Sequence, residues 1–241
     1  MNELSPERYL PNLSIDCVVF GYKNKALHVL VAHLNYGNDL WALPGGYVEK
    51  TESTDHAAAR VLQLHTKLSD VYLEQFRVFG NENRIVASAH KNEIRQALTT
   101  YKNGPVDDAT LDWMTSRFVC IGYYALVDID KVNPKPGEFE SELVWKSLED
   151  LPQMTHDHNE IVSYALKALR QNLDEKLIGF KLLPETFTMK EVKQLYETVY
   201  NKTFPMNNFQ KKILELDVLE RLGKKFTGAQ NRAPYMYRFK V

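Results

Sequence analysis

The sequence predicts an α+β chain in two units. The first is a three-layer α/β/α sandwich; the second is a small helix-turn-helix closed by a two-stranded wing. Three observations carry this. Strand-like runs alternate with two long amphipathic helices up to about residue 171. One passage, Trp41 to His65, reads strand, Pro44-Gly45-Gly46 turn, helix. After Leu182-Leu183-Pro184 the pattern becomes two short helices and then two strands.

Taken in order, residues 1–12 read as an irregular lead ended by Pro11. Ser14 to Tyr22 is the first strand, Lys23-Asn24-Lys25 a turn, and Leu27 to Leu34 the second strand, both β-branched and alternating. A third strand ends at Leu43, because Pro cannot donate to a ladder and Gly permits a sharp turn. Ser53 caps the next helix, with Asp55 in its positive first turn and Ala57, Ala58, Val61 and Leu62 on its apolar face. Tyr72 to Gly80 is a fourth strand. Asn81 to Thr115 reads as a helical insertion, with patches Ile85 to Tyr101 and Asp108 to Met114 around Asn103-Gly104-Pro105. It is either surface decoration, a dimer contact or a lid. Arg117 to Asp128 is a core strand, and Glu142 to Trp145 begins another. Asp157-His158 starts a helix with Ile161, Ala165 and Leu169 at helical spacing.

In the second unit Thr188 and Glu191 form a capping box. Val192, Leu195, Tyr196 and Val199 make that helix apolar on one side. A second helix from near Asn207 turns Phe209, Ile213 and Leu214 inward. It leaves Asn207, Asn208, Gln210, Lys211 and Lys212 on the other side. Leu219 to Phe226 and Tyr235 to Val241 are the strands of a wing carrying Lys224, Lys225, Gln230, Asn231 and Arg232. Asn and Gln can bond adenine edges in the major groove, and Lys neutralises phosphate, so these ten residues are the candidate DNA contacts.

Composition agrees. An apolar fraction of 44% and a charged fraction of 25% are ordinary for a globular protein. No apolar run is long enough to span a bilayer, and the first residues lack a secretory pattern. No membrane partner is expected, and a cytoplasmic location is. Cys17 and Cys120 lie in strand-like runs, as buried thiols rather than a disulfide or a metal site. Residues 181–241 hold 12 Lys and Arg against 6 Asp and Glu, a net of +6; the rest of the chain holds 18 against 25, a net of −7. A basic unit beside an acidic one suits phosphate contact by the former.

The stretch Gly46 to Leu68 resembles the Nudix box. Gly46, Glu52 and Arg60 fall in register with that pattern, but Val61 stands where a helix glutamate belongs. Leu64 and His65 replace the glutamate pair, and Lys67 replaces the closing glycine. Nudix hydrolases use those glutamates to hold magnesium or manganese, and hard cations need several oxygens. The resemblance therefore implies the fold without the catalysis, with no metal and no cofactor. Gly45 and Gly46 then shape a turn, and Arg60 pairs with a nearby acid.

A Nudix-like sandwich (1–171, insertion about 81–115) ahead of a winged helix (180–241) resembles the Nudix-related transcriptional regulators. The likeness includes Leu182-Leu183-Pro184, Asn208 to Ile213, Arg232 to Tyr237 and the pair Asp157-His158. It implies a homodimer on a palindromic double-stranded operator, acting as a repressor and responding to a small effector. Pocket candidates over the glycine turn are Asp16, His33, Asn35, Gly45, Gly46, Tyr47, Tyr123, Glu142, Asp157 and His158. Carboxylates, amides and aromatic platforms suit a neutral polyol, so a pentose such as L-arabinose is the expected effector. An ADP-ribose or NAD-related nucleotide is the alternative, for which Arg60, Arg77, Arg84 or Arg117 would serve. An active diphosphohydrolase is the remaining one.

Overall fold

The computed structural model describes residues 5–36, 39–69, 71–84, 88–99, 107–175, 182–224 and 233–240. A mixed seven-stranded sheet is centred on β1 (Tyr9–Lys23). One edge of β1 runs parallel to β6 (Val119–Val127), in unbroken register from Leu13↔Val119 to Gly21↔Val127. Its other edge is shared. The second half pairs with β2 (Ala26–Leu34) and the first half with β4 (Gly45–Glu49). β3 (Trp41–Ala42) and β7 (Glu140–Ser147) both lie on β2, and β5 (Tyr72–Phe79) lies outside β6.

A strand covered on both faces needs a continuous apolar run, and Cys17-Val18-Val19-Phe20 supplies it. Alternate residues divide between two cores. Ile15, Cys17 and Val19 pack under α1 (Thr54–Thr66) with Ala57, Ala58, Val61 and Leu62. Val18 and Phe20 pack under α4 (His158–Glu175) with Ile161, Ala165 and Leu169. Both cysteines are buried and free.

Several expectations change. Residues 9–12 are not an irregular lead: β1 already pairs Tyr9 with Glu49, and Pro11 is tolerated because Asn12 takes a left-handed φ of 56° where the register slips. Gly45 and Gly46 do not end the sheet but begin β4. A Cβ on Gly45 would come 2.6 Å from an Asp16 carboxylate oxygen, and one on Gly46 2.9 Å from the Val61 side chain. Close approach, rather than a turn, demands glycine there. Lys67, in place of the pattern's glycine, closes α1 with a φ of 61°.

The insertion is helical as expected. α2 spans Ser88–Thr99, and α3 spans Asp108–Met114 with Asp107 as its cap. Asn103, Gly104 and Pro105 lie outside the described residues. α4 continues four residues past 171.

The C-terminal unit contains α5 (Met189–Tyr200), α6 (Met206–Glu215), β9 (Leu219–Lys224) and β10 (Tyr235–Phe239). The Thr188–Glu191 capping box is formed. A short strand absent from the sequence reading, β8 (Phe187–Thr188), completes a three-stranded sheet with β10 between its neighbours. This unit packs on the end of α4. Arg170 Nε donates to the Val199 carbonyl at 2.7 Å, and the Tyr200 hydroxyl donates to the Arg170 carbonyl at 2.8 Å. Thr198 Oγ1 also donates to the Lys25 carbonyl in the β1–β2 turn. Among the described residues no helix is long and apolar enough to cross a membrane.

Candidate functional site

A cavity of about 360 Å³ opens where β1, β4, α1, the insertion and the start of α4 meet. That size lies within the range of small-molecule sites, about 300–1,000 Å³. Its floor is Asp16, Gly45 and Gly46, and its walls include Tyr47, Arg60, His65, Arg84, Phe118, Glu140, His156 and His158. Ile94 and Met114 place the insertion on its wall.

Its deepest part is an ionic network. Arg84 Nη2 donates to Asp16 Oδ2 at 2.8 Å, and Arg84 Nε donates to Asp157 Oδ1 at 2.8 Å. The Asp16 and Arg84 side chains are only 8% and 7% exposed, while that of Asp157 is 19% exposed. The Cys120 thiol donates to Asp16 at 2.8 Å, and His158 Nε2 faces the same oxygen at 3.5 Å. Burial alone would push the Asp16 carboxyl up. His158, Arg84 and Cys120 outweigh it and hold the group below its ordinary range. The Leu43 N–H donates to His158 Nδ1, so the ring proton sits on Nε2, toward Asp16. Burial outweighs the pull of Asp16 and, with Arg84, keeps His158 below its ordinary value and neutral. His156 falls to about 4, by burial first and then His158 and Arg84.

The box residues form a second, structural network. Arg60 meets Glu52 with two bonds, Nη2 at 2.5 Å and Nε at 3.0 Å, and also donates to the Tyr47 carbonyl. Glu52 accepts from the Glu49 N–H, and Arg8 takes Glu49 at 2.7 Å. The Glu52 carboxyl is lowered chiefly by its bond from Arg60. Arg60 does pair with a nearby acid.

The helix face that would hold a cation is closed to one. Val61 is fully buried, packed toward Gly46, and Leu64 turns an apolar side chain into the cavity. His65 has both nitrogens engaged, Nδ1 with the Val61 carbonyl at 2.7 Å and Nε2 with Glu140 at 3.1 Å. With Glu140 ionised, both ring nitrogens face oxygen acceptors, an arrangement that favours the imidazolium. Burial would lower its pKa, but Glu140 outweighs this and raises it. Among the described residues no group of three His, Cys, Asp or Glu is placed to hold a metal ion. The donor set, two aliphatic side chains and a cationic histidine, does not fit magnesium or manganese.

Of the expected pocket residues, Asp16, Gly45, Gly46, Tyr47 and His158 line the cavity. Asp157 stands behind Arg84. The others are elsewhere. Tyr123 points to the α1 side, where its hydroxyl donates to Asp55 at 2.6 Å. His33 packs on Trp41 at 4.6 Å and bonds Ser141, and Glu142 lies opposite it, exposed, on the outer strands. Asn35 ties the loop at Glu138 and Phe139. A strand's alternation tells which face a residue takes, not which end of the sheet the cavity occupies. Arg77 lies over the Tyr164 ring, and Arg117 donates to the Gly80 carbonyl, so neither lines the cavity. Tyr9, Tyr36, His65, Phe118, Glu140 and His156 were missed; only His65 had a signal, as the residue that breaks the box.

On the second unit, α6 buries Phe209 and Ile213. It leaves Asn207, Asn208, Lys211 and Lys212 exposed, with Gln210 half-buried; Leu214, expected inward, is exposed instead. Lys224 is exposed at the end of β9. Lys225, Gln230, Asn231 and Arg232 lie outside the described residues.

Residues 179–239 match the family model of the NrtR DNA-binding winged helix domain. The ADPR responsive transcriptional repressor NtrR of Acinetobacter baylyi is 24% identical over 236 residues, 95% of this chain and 82% of that protein. Shewanella oneidensis NrtR, crystallised with a 27mer DNA, superimposes with a TM-score of 0.70 at 23% identity, covering 95% of this chain and 93% of the other. A MutT/nudix family protein from Enterococcus faecalis gives 0.68 at 20% identity, over 98% and 89%. The fold is thus a Nudix-like sandwich followed by a winged helix of the NrtR type.

Proposed function

We propose that this protein is a DNA-binding transcriptional repressor whose Nudix-like sandwich binds ADP-ribose or a closely related nucleotide. The observation that carries the DNA half is the match of residues 179–239 to a DNA-binding winged helix, together with the amide- and lysine-bearing face of α6. In this reading Lys211, Lys212 and Lys224 contact phosphates and set affinity, and the exposed amides of Asn207 and Asn208 read base edges. Two copies are needed for a palindromic site, with recognition helices about 34 Å apart.

For the effector, ADP-ribose replaces the expected pentose. The carboxylate and amide set that favoured a sugar is dispersed, with His33, Asn35, Glu142 and Tyr123 away from the cavity. What lines it instead includes Arg60, Arg84 and several aromatic rings, groups suited to a diphosphate and a base. The relative from Acinetobacter is named for its response to ADPR. Turnover of the diphosphate is not part of the proposal, because the helix face lacks hard-cation ligands.

Calorimetry on the full chain tests this directly. ADP-ribose is expected to bind with and without chelator, and L-arabinose not to bind. Binding of arabinose alone, or magnesium-dependent cleavage of ADP-ribose at enzymatic rates, overturns the effector reading. A chain that selects no sequence from a random duplex pool overturns the DNA reading.

A further inference from the structure

We infer that Arg84 takes the effector's phosphate by giving up Asp157, and that this exchange loosens the first turn of α4 and, through that helix, the seating of the winged helix. The inference rests on the effector reading above for its ligand, but not for its latch.

Every cation on the cavity wall is already paired. Arg60 is committed to Glu52 by two bonds and His65 to Glu140. Arg84 is held by Asp16 and Asp157. Arg84 Nη1 already faces the Phe118 carbonyl at 3.4 Å, so a phosphate that takes the Nε edge of Arg84 meets Asp157 as its competitor. The Asp16 bond is not the one to break. That carboxylate is buried and carries Cys120 and His158 as well, so freeing it from Arg84 strands a charge away from water. Asp157 is the more exposed partner and has water to turn to. The Arg84 fork can keep Asp16 on Nη2 and turn Nε to a phosphate oxygen.

Asp157 is the residue before α4. Its carbonyl accepts the first helical bond, from the Ile161 N–H at 2.9 Å. Its ion pair is thus a tether on the helix N-terminus, opposite in charge to the cation that holds it. The other end of α4 is locked to the DNA-binding unit. Arg170 holds the Val199 carbonyl, Tyr200 holds the Arg170 carbonyl, and Leu169 and Leu173 share one core cluster with Leu195 and Val199. From His158 to Arg170 is about 18 Å of helix at 1.5 Å per residue. The first turn of α4 is held by this pair together with the Leu43–His158 bond, the Asn159 bonds to Met154 and Pro152, and buried Ile161. Loss of the pair therefore removes one of several ties and loosens the turn that α4 links to the domain. A ligand that binds better to the untethered arrangement shifts the population toward it.

Asp157→Asn tests the latch in the full chain, since Asn keeps an oxygen to accept from Arg84 but loses the charge. Without any effector it should bind DNA selected by the wild type five- to tenfold more weakly, within the usual span of coupling energies. It should also bind ADP-ribose about five- to tenfold more tightly, because the competitor is weakened. Arg84→Lys, which cannot fork, should lose ADP-ribose affinity by about tenfold while retaining the buried charge. Unchanged DNA affinity in Asp157→Asn without ligand overturns the latch, whatever ADP-ribose does. If the wild type binds ADP-ribose and neither variant alters that binding, Arg84 is not the phosphate group, and the effector reading stands. If the wild type does not bind ADP-ribose, the effector reading falls; a ligand-free DNA defect in Asp157→Asn would still support the tether.

Discussion

Two charged regions of this chain behave oppositely. Around Asp16, Arg84 and Asp157 the charges are mutually satisfied, the first two buried and the third half-buried, so each is worth what its partners make it worth. Along α6, Asn207, Asn208, Lys211 and Lys212 are exposed, and the ion pair of Lys211 with Glu215 is long at 3.8 Å. Burial makes the first region cooperative and sensitive to the loss of one member. Exposure makes the second additive and sensitive to salt.

The largest effect should come from cutting the buried region. Arg84→Ala leaves Asp16 and Asp157 without their cation, and urea unfolding should show a loss of about 3–5 kcal/mol. A change below about 1 kcal/mol, the usual worth of a surface pair, would erase the contrast.

Next is His65→Gln, which removes a charged hydrogen bond to Glu140 worth about 1.5–3 kcal/mol. The folded-state pKa of His65 is raised above its ordinary 6.5. Its contribution is therefore complete below about pH 6.5 and fades as pH rises through the folded value. Wild type and variant should converge in melting temperature toward pH 9 and differ most near pH 6. A constant difference across that window would mean the bond is not ionic.

The exposed face should respond more gently and differently. Replacing Lys211 and Lys212 with Ala should flatten the slope of log affinity against log salt by about 0.9 per lost phosphate contact. Folding stability should be unchanged within about 0.5 kcal/mol. A stability loss without a change in slope would make α6 a packing helix only. Smallest is Thr188→Ala, which removes the cap that starts α5 and should cost about 1 kcal/mol by thermal melting.

Much of this was legible in order along the chain. Ser53 and Thr188 cap the helices they precede, as read. Phe209 and Ile213 face the core, as their spacing requires. The pairing of Arg60 with Glu52 follows from eight residues that bring a loop back over its own helix. These are local facts, fixed by period and hydrogen-bonding chemistry.

The cavity was not local. Asp16, Arg84 and Asp157 are 68 and 73 residues apart in chain order and meet only because β1, the insertion and α4 converge. Nothing in the neighbourhood of Arg84 distinguishes it from Arg77 or Arg117. The sequence determined which residues could carry charge, where helices start, and that Val61, Leu64 and His65 stand where the Nudix box has glutamates. Tertiary structure decided which charges are buried together, and so which arginine meets two carboxylates at the cavity. The reason is that burial and pairing energies depend on distance in space, and no periodicity along a chain encodes that distance.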